Sequence, residues 1–302
     1  MNRAWGALLI AIGVAAGLVG CDAVTQGGPR IVATTNILGD VAQNVVGDAV
    51  EVVTLMPPGA DPHSFEISAQ EAAMLRDADL IISNGLGLEE GVQHHVDAAV
   101  EDGVPTFVAG DHVSVLEFAT DDASGPDPHF WTDPARVTEL LGPLADAIAE
   151  HVPGVDAVAL AESAEVYAAQ VAELDADLEA AFAALPSERR RLVTNHHVFG
   201  YLAERYDFEV IGAVLPSGTT LAAPSASDLE ELASAIRDAG VPAIFADSSQ
   251  PARVAEVLAE EAGVEVEIVS LFTESLSGAG EGAETYLEMM RTNGERIASA
   301  LR

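Results

Sequence analysis

Of the eight histidines in the chain, His63, His129 and His196 stand in loops that should open onto a cleft. His63 lies in Met56-Pro57-Pro58-Gly59-Ala60-Asp61-Pro62-His63-Ser64-Phe65-Glu66, a turn-rich stretch between an extended run and a helix starting near Ser68. His129 lies in Pro126-Asp127-Pro128-His129-Phe130-Trp131-Thr132-Asp133-Pro134, and His196 directly follows the β-branched run Arg191-Leu192-Val193-Thr194. Loops at the carboxyl ends of parallel strands are where α/β proteins carry ligand groups. Three neutral imidazoles suit a divalent transition metal, zinc first, with manganese or iron less favoured without more carboxylate oxygens. A fourth donor is needed. Glu274, opening a Gly-rich loop after the last extended run, is one candidate. Asp247, ending Ala243-Ile244-Phe245-Ala246, is another, or it accepts from a ligand N–H one layer out. Spacing alone leaves Glu274, Asp247 and water open. His94, His95, His112 and His151 read as ordinary solvated or packed histidines. No His-Glu-x-x-His helix supplies the general base that a zinc hydrolase needs.

These loops need a scaffold, and the hydropathy pattern supplies one. Short β-branched runs alternate with segments of helical periodicity, which implies an α/β fold with parallel sheets covered by helices. Strands are expected at 31–34, 50–55, 80–83, 106–108, 191–195, 208–213, 243–246 and 266–269. Helices are expected at 38–46, 68–76, 133–150, 225–239, 251–261 and 283–301. Residues 154–185 are rich in Ala, Glu, Leu and Val, and no proline or glycine interrupts them after Gly154. They predict a single helix of roughly 45 Å, with Val166, Val171, Leu174 and Leu178 on its buried stripe. Its length suggests a strut joining two lobes, 30–153 and 186–302, each a mostly parallel sheet flanked by helices. Two histidine loops would then come from the first lobe and one from the second.

The chain of 302 residues carries 49 acidic against 13 basic side chains, all of the latter Arg, for a formal net charge of −36. Phosphate recognition needs basic patches, so a nucleic-acid partner is excluded, whereas a field of this sign favours encounter with cations. The lone cysteine, Cys21, rules out an internal disulfide. Arg3 precedes an apolar run from Ala4 to Gly20, and Leu18-Val19-Gly20-Cys21 has the form of a lipoprotein cleavage site. Residues 1–20 are therefore expected to be a signal peptide. Residues 21–29 would form a tether, with lipid on Cys21 holding the protein to the outer face of the cytoplasmic membrane.

Read whole, Thr34-Thr35-Asn36-Ile37-Leu38-Gly39-Asp40, the two proline-bounded histidine loops, Thr194-Asn195-His196-His197-Val198-Phe199-Gly200-Tyr201 and the closing Tyr286-Leu287-Glu288-Met289-Met290-Arg291-Thr292-Asn293 resemble one family. It is that of the metal-binding lipoproteins serving ABC importers, the ZnuA and TroA type, and the resemblance runs from about residue 30 to the end. It implies a two-lobed solute-binding protein with a long connecting helix and one divalent metal, zinc or else manganese, between the lobes. His63, His129 and His196 match the first three ligand positions, with His196 rather than His197 at the third. Glu274 stands where the family usually has Asp. Where many zinc-binding members carry a long His-rich loop, this chain has only Asp121-Asp122-Ala123-Ser124-Gly125. The resemblance further implies a monomer without enzymatic activity, partnered by a permease and its ATPase. A surface adhesion protein with a structural metal is the alternative from another class.

Overall fold

The structure, a computed structural model, describes residues 28–118, 123–215, 217–250, 253–263 and 266–302. Cys21 and the apolar run before it lie outside these residues. The chain runs β1 (Arg30–Ala33), α1 (Asn36–Val46), β2 (Glu51–Thr54), α2 (Ala69–Arg76), β3 (Leu80–Ser83), α3 (Gln93–Glu101), β4 (Thr106–Val108), α4 (Pro134–His151) and α5 (Ala157–Ala183). It continues through β5 (Arg191–Thr194), α6 (Gly200–Tyr206), β6 (Glu209–Ala213), α7 (Ala226–Ala239), β7 (Ala243–Asp247), α8 (Arg253–Ala262), β8 (Glu267–Leu271) and α9 (Tyr286–Ala300). Two four-stranded sheets form, ordered β2-β1-β3-β4 and β6-β5-β7-β8, and every pairing is parallel. The second half thus repeats the strand order of the first. In each sheet the order reverses beside the first strand, which leaves a crevice at the carboxyl ends where α/β proteins bind ligands.

The helix between the sheets starts later than the composition suggests. Gly154 adopts a positive φ of 82°, and Asp156 caps the first turn by accepting from Val158 N and Ala159 N. From there 27 residues run about 40 Å. Leu160, Ala164, Tyr167, Val171, Leu174, Leu178 and Phe182 form its buried stripe, at steps of three and four. Val166, expected on that stripe, is instead 61% exposed, because in so Ala-rich a helix small residues share the buried face and the valines alone do not mark it.

α5 is no bare rod. It packs on α1 and α4 from the first half and on α6 and α9 from the second. Gly294 of α9 allows the closest approach, since a Cβ there would lie 2.2 Å from Leu178 Cδ2. One hydrophobic cluster runs unbroken from Ile31 on β1 through this helical layer to Leu301. Smaller clusters cover the outer faces, around Ile81 and Leu75 in one sheet and Ile244 and Leu258 in the other. The phase of α5 is testable by paired truncations. Leu174→Ala should cost about 2–5 kcal/mol of stability in urea unfolding, whereas Val166→Ala should stay within about 0.5 kcal/mol. Equal losses would contradict the observed phase.

Candidate metal centre

Four loops deliver four side chains to one point in the crevice. The loop after β2 brings His63, and Asp61 Oδ1 accepts the His63 backbone N–H at 2.9 Å. The loop after β4 brings His129 through the same turn, with Asp127 Oδ1 accepting its backbone N–H at 3.0 Å. In both, proline separates the Asp from the His, and the short acidic side chain folds back onto its own backbone as Asx turns do. His196 follows β5, where Thr194 Oγ1 donates to its carbonyl at 2.7 Å. Glu274 follows β8.

Their donor atoms all lie within 4.8 Å of one another. His129 Nε2 is 3.4 Å from His63 Nε2 and 3.3 Å from His196 Nε2. Glu274 Oε1 is 3.0 Å from His196 Nε2 and 3.5 Å from His129 Nε2, and Oε2 is 3.8 Å from His63 Nε2. A tetrahedral zinc ion with bonds of about 2.0–2.1 Å sets its donors about 3.3 Å apart. All four side chains are buried, and neither carboxylate oxygen of Glu274 has a hydrogen-bond partner, nor do the Nδ1 atoms of His63 and His196. Buried polar atoms are normally satisfied. An orphaned carboxyl among three imidazole nitrogens therefore fits a cation.

The family profile described as ZnuA, zinc-uptake complex component A, periplasmic, matches residues 31–300. The chain belongs to the ZnuA family. It is 31% identical over 284 residues to the zinc-binding protein TroA of Treponema pallidum, covering 93% of this chain and 91% of that one. It is 26% identical to the manganese ABC transporter substrate-binding lipoprotein PsaA of Streptococcus pneumoniae, covering 100% and 99%. The solved structure of the Treponema pallidum zinc-binding protein superposes with a TM-score of 0.84 at 30% identity, over 91% of this chain and 99% of that one.

Around the cluster, this ZnuA-family chain builds a supporting layer that sequence reading largely missed. His129 Nδ1 lies 2.7 Å from Asp127 Oδ1; an Nδ1–H donated there leaves the Nε2 lone pair facing the cluster. The signal was present in the repeated Asp-Pro-His tripeptide. Asp247 does not take up the histidine-orienting role foreseen for it: its carboxylate accepts from Ser249 N at 2.6 Å and from the hydroxyls of Ser249 and Thr273. It thereby braces the residue before Glu274 instead. Trp131 Nε1 donates to Thr273 O at 2.9 Å on the same loop. Glu89, fully buried, accepts from Thr34 Oγ1 and Asn84 N, both at 2.6 Å, and ties together the ends of β1 and β3.

The remaining histidines stand apart. His197 lines a neighbouring cleft of about 370 Å³ with Leu116, Phe118, Asp127, Phe199 and Phe208. His94 and His95 sit side by side on α3, His112 stacks on Phe107 with ring centroids 4.5 Å apart, and His151 ends α4 on the surface.

Burial sets the protonation of the cluster. Desolvation pushes His63 down to about 4 and His129 down to about 3, and lowers His196 as well. Desolvation also pushes Glu274 up to about 7, against the pull of the neighbouring imidazoles, and Asp127 up to about 7. At neutral pH the imidazoles are already neutral, so the protons that a metal must displace sit on carboxyls. Apparent zinc affinity should accordingly rise with pH to about 7 and level above it, which chelator competition across pH 5–9 would record. Steep threefold proton dependence below a plateau at about 6.5 would instead mark solvated imidazoles. Asp127→Ala, which leaves His129 Nδ1 unpaired, should weaken zinc binding about 10–100-fold in the same assay.

Proposed function

We propose that this protein is an extracytoplasmic solute-binding lipoprotein that captures a divalent transition metal, zinc in preference to manganese, and delivers it to an ABC permease and its ATPase. His63, His129, His196 and Glu274 are the four ligands in this reading. The observation that carries it is the mutual spacing of three imidazole nitrogens and an orphaned carboxylate, close to the edges of a zinc tetrahedron. Three nitrogens and one carboxylate suit zinc better than manganese, which prefers more oxygen. The zinc-binding relative from Treponema pallidum and the manganese-binding one from Streptococcus pneumoniae bracket the choice. With four protein donors no coordination position is kept for a reacting water, so the protein carries its ion and performs no catalysis.

The remaining features serve delivery. Residues 1–20 act as the signal peptide, lipid on Cys21 holds the mature monomer at the membrane, and residues 21–29 give it reach. Among the described residues no helix is long and apolar enough to cross a membrane. Lobes 30–153 and 186–302 each contribute two ligands, and α5 between them restricts their relative motion to a small rearrangement.

The test is metal competition on the chain lacking residues 1–21, stripped by chelator and offered zinc and manganese together. A single removable zinc per chain is expected, lost or greatly weakened in His196→Ala and Glu274→Ala and retained in His197→Ala. Manganese winning the competition would reverse the metal, and parental binding by His196→Ala would overturn the ligand set.

A further inference from the structure

The two halves close on the cluster from two sides that are built differently. On one side the Glu274 loop is fixed to the first half by buried groups. Asn36 Nδ2 donates to Ser275 Oγ at 2.7 Å, Asn36 Oδ1 accepts from Leu276 N at 2.9 Å, and Tyr286 OH donates to Trp131 O at 2.9 Å. On the other side polar ties from half-buried Thr219, Thr220 and Gln250 cross the gap to exposed Glu90 and buried Asp61. Thr219 Oγ1 donates to Glu90 Oε1 at 2.8 Å, Thr220 Oγ1 donates to Asp61 Oδ2, and Gln250 Nε2 donates to the same oxygen at 2.8 Å. That second side lies directly over His63, whose Nδ1 is 4.0 Å from Glu90 Oε1.

Asp61 stands at the meeting point. Its Oδ1 holds the His63 backbone N–H, while its Oδ2 also accepts from Ser64 Oγ at 3.0 Å within the same turn. The equivalent Asp127 uses its Oδ1 on the backbone N–H and ring of its own histidine. Two like tripeptides thus serve different ends: one orients a ring, the other fastens a ligand loop across the crevice. We propose that Asp61 is a positioning residue that latches the cleft through Thr220 and Gln250, making the place of His63 depend on closure and so setting the rate at which bound metal leaves.

This inference rests on the reading of the cluster as a metal site, and its test separates the two. Zinc-loaded protein lacking residues 1–21 is mixed with excess chromophoric chelator, and the release rate is compared among variants. Loss of two hydrogen bonds to a carboxylate in Thr220→Val with Gln250→Leu should speed release about tenfold or more. Thr220→Val alone should act in the same direction by about threefold or more, which keeps the test alive if the double variant does not fold. Thr220→Ser, which retains the hydroxyl, and Ser64→Ala, which removes only the donor from within the turn, should release zinc at the parental rate. Parental release by the Thr220→Val variants, or equal acceleration by Ser64→Ala, overturns the latch. A parent that binds no zinc overturns the metal reading beneath it.

Discussion

The constraint on which the rest of the structure depends is the confinement of one carboxylate and three imidazoles, all buried, with donor atoms within 4.8 Å of one another. Left in a protein interior, an unpaired carboxylate is strongly disfavoured, and the chain answers by shifting protons: Glu274 rises toward neutrality while His63 and His129 fall far below their solvated range. The cluster is thus held ready and unsatisfied, and a dication resolves every unmet atom facing it at once. Such readiness requires a rigid surround, because loops free to relax would turn these groups to solvent.

Rigidity comes from the doubled architecture. Each sheet presents its strand ends to the same crevice, and proline-bounded turns on one side and short strand-to-loop exits on the other bring donors there. The shared helical layer of α1, α4, α5, α6 and α9 then sets the spacing between the halves. Its contribution to the site is indirect but strict: donors 3.0–3.8 Å apart tolerate little drift between the loops that carry them.

Much of this was legible in the residues. β3 and β4 fall where Leu80–Ser83 and Thr106–Val108 read as strands, since short β-branched or apolar runs bounded by turn signals admit few alternatives. The three histidines were legible from the loops that hold them, whereas spacing alone left Glu274 level with Asp247 and water. Less legible was whatever depends on partners remote in sequence. The attachment of Asp61 to Thr220 and Gln250 spans 159 and 189 residues, and no local pattern announces it. The sequence leaves Asp247 either as a fourth ligand or as an acceptor for a ligand N–H; its neighbour strand β8 runs parallel and delivers Thr273 to it first, and its carboxylate is taken up by Thr273 and Ser249. Val166 misled for a different reason, since in α5 alanine and tyrosine occupy buried positions that hydropathy alone would not rank above valine.

The unbroken core has a consequence for how the molecule comes into being. Side chains near its first residue, such as Ile31, and its last, such as Ile297 and Leu301, belong to one apolar cluster, and α9 lies against α1. A growing chain cannot complete that cluster until Leu301 has emerged, well after Glu274. The four clustered side chains are therefore synthesised before the core that holds their loops can close.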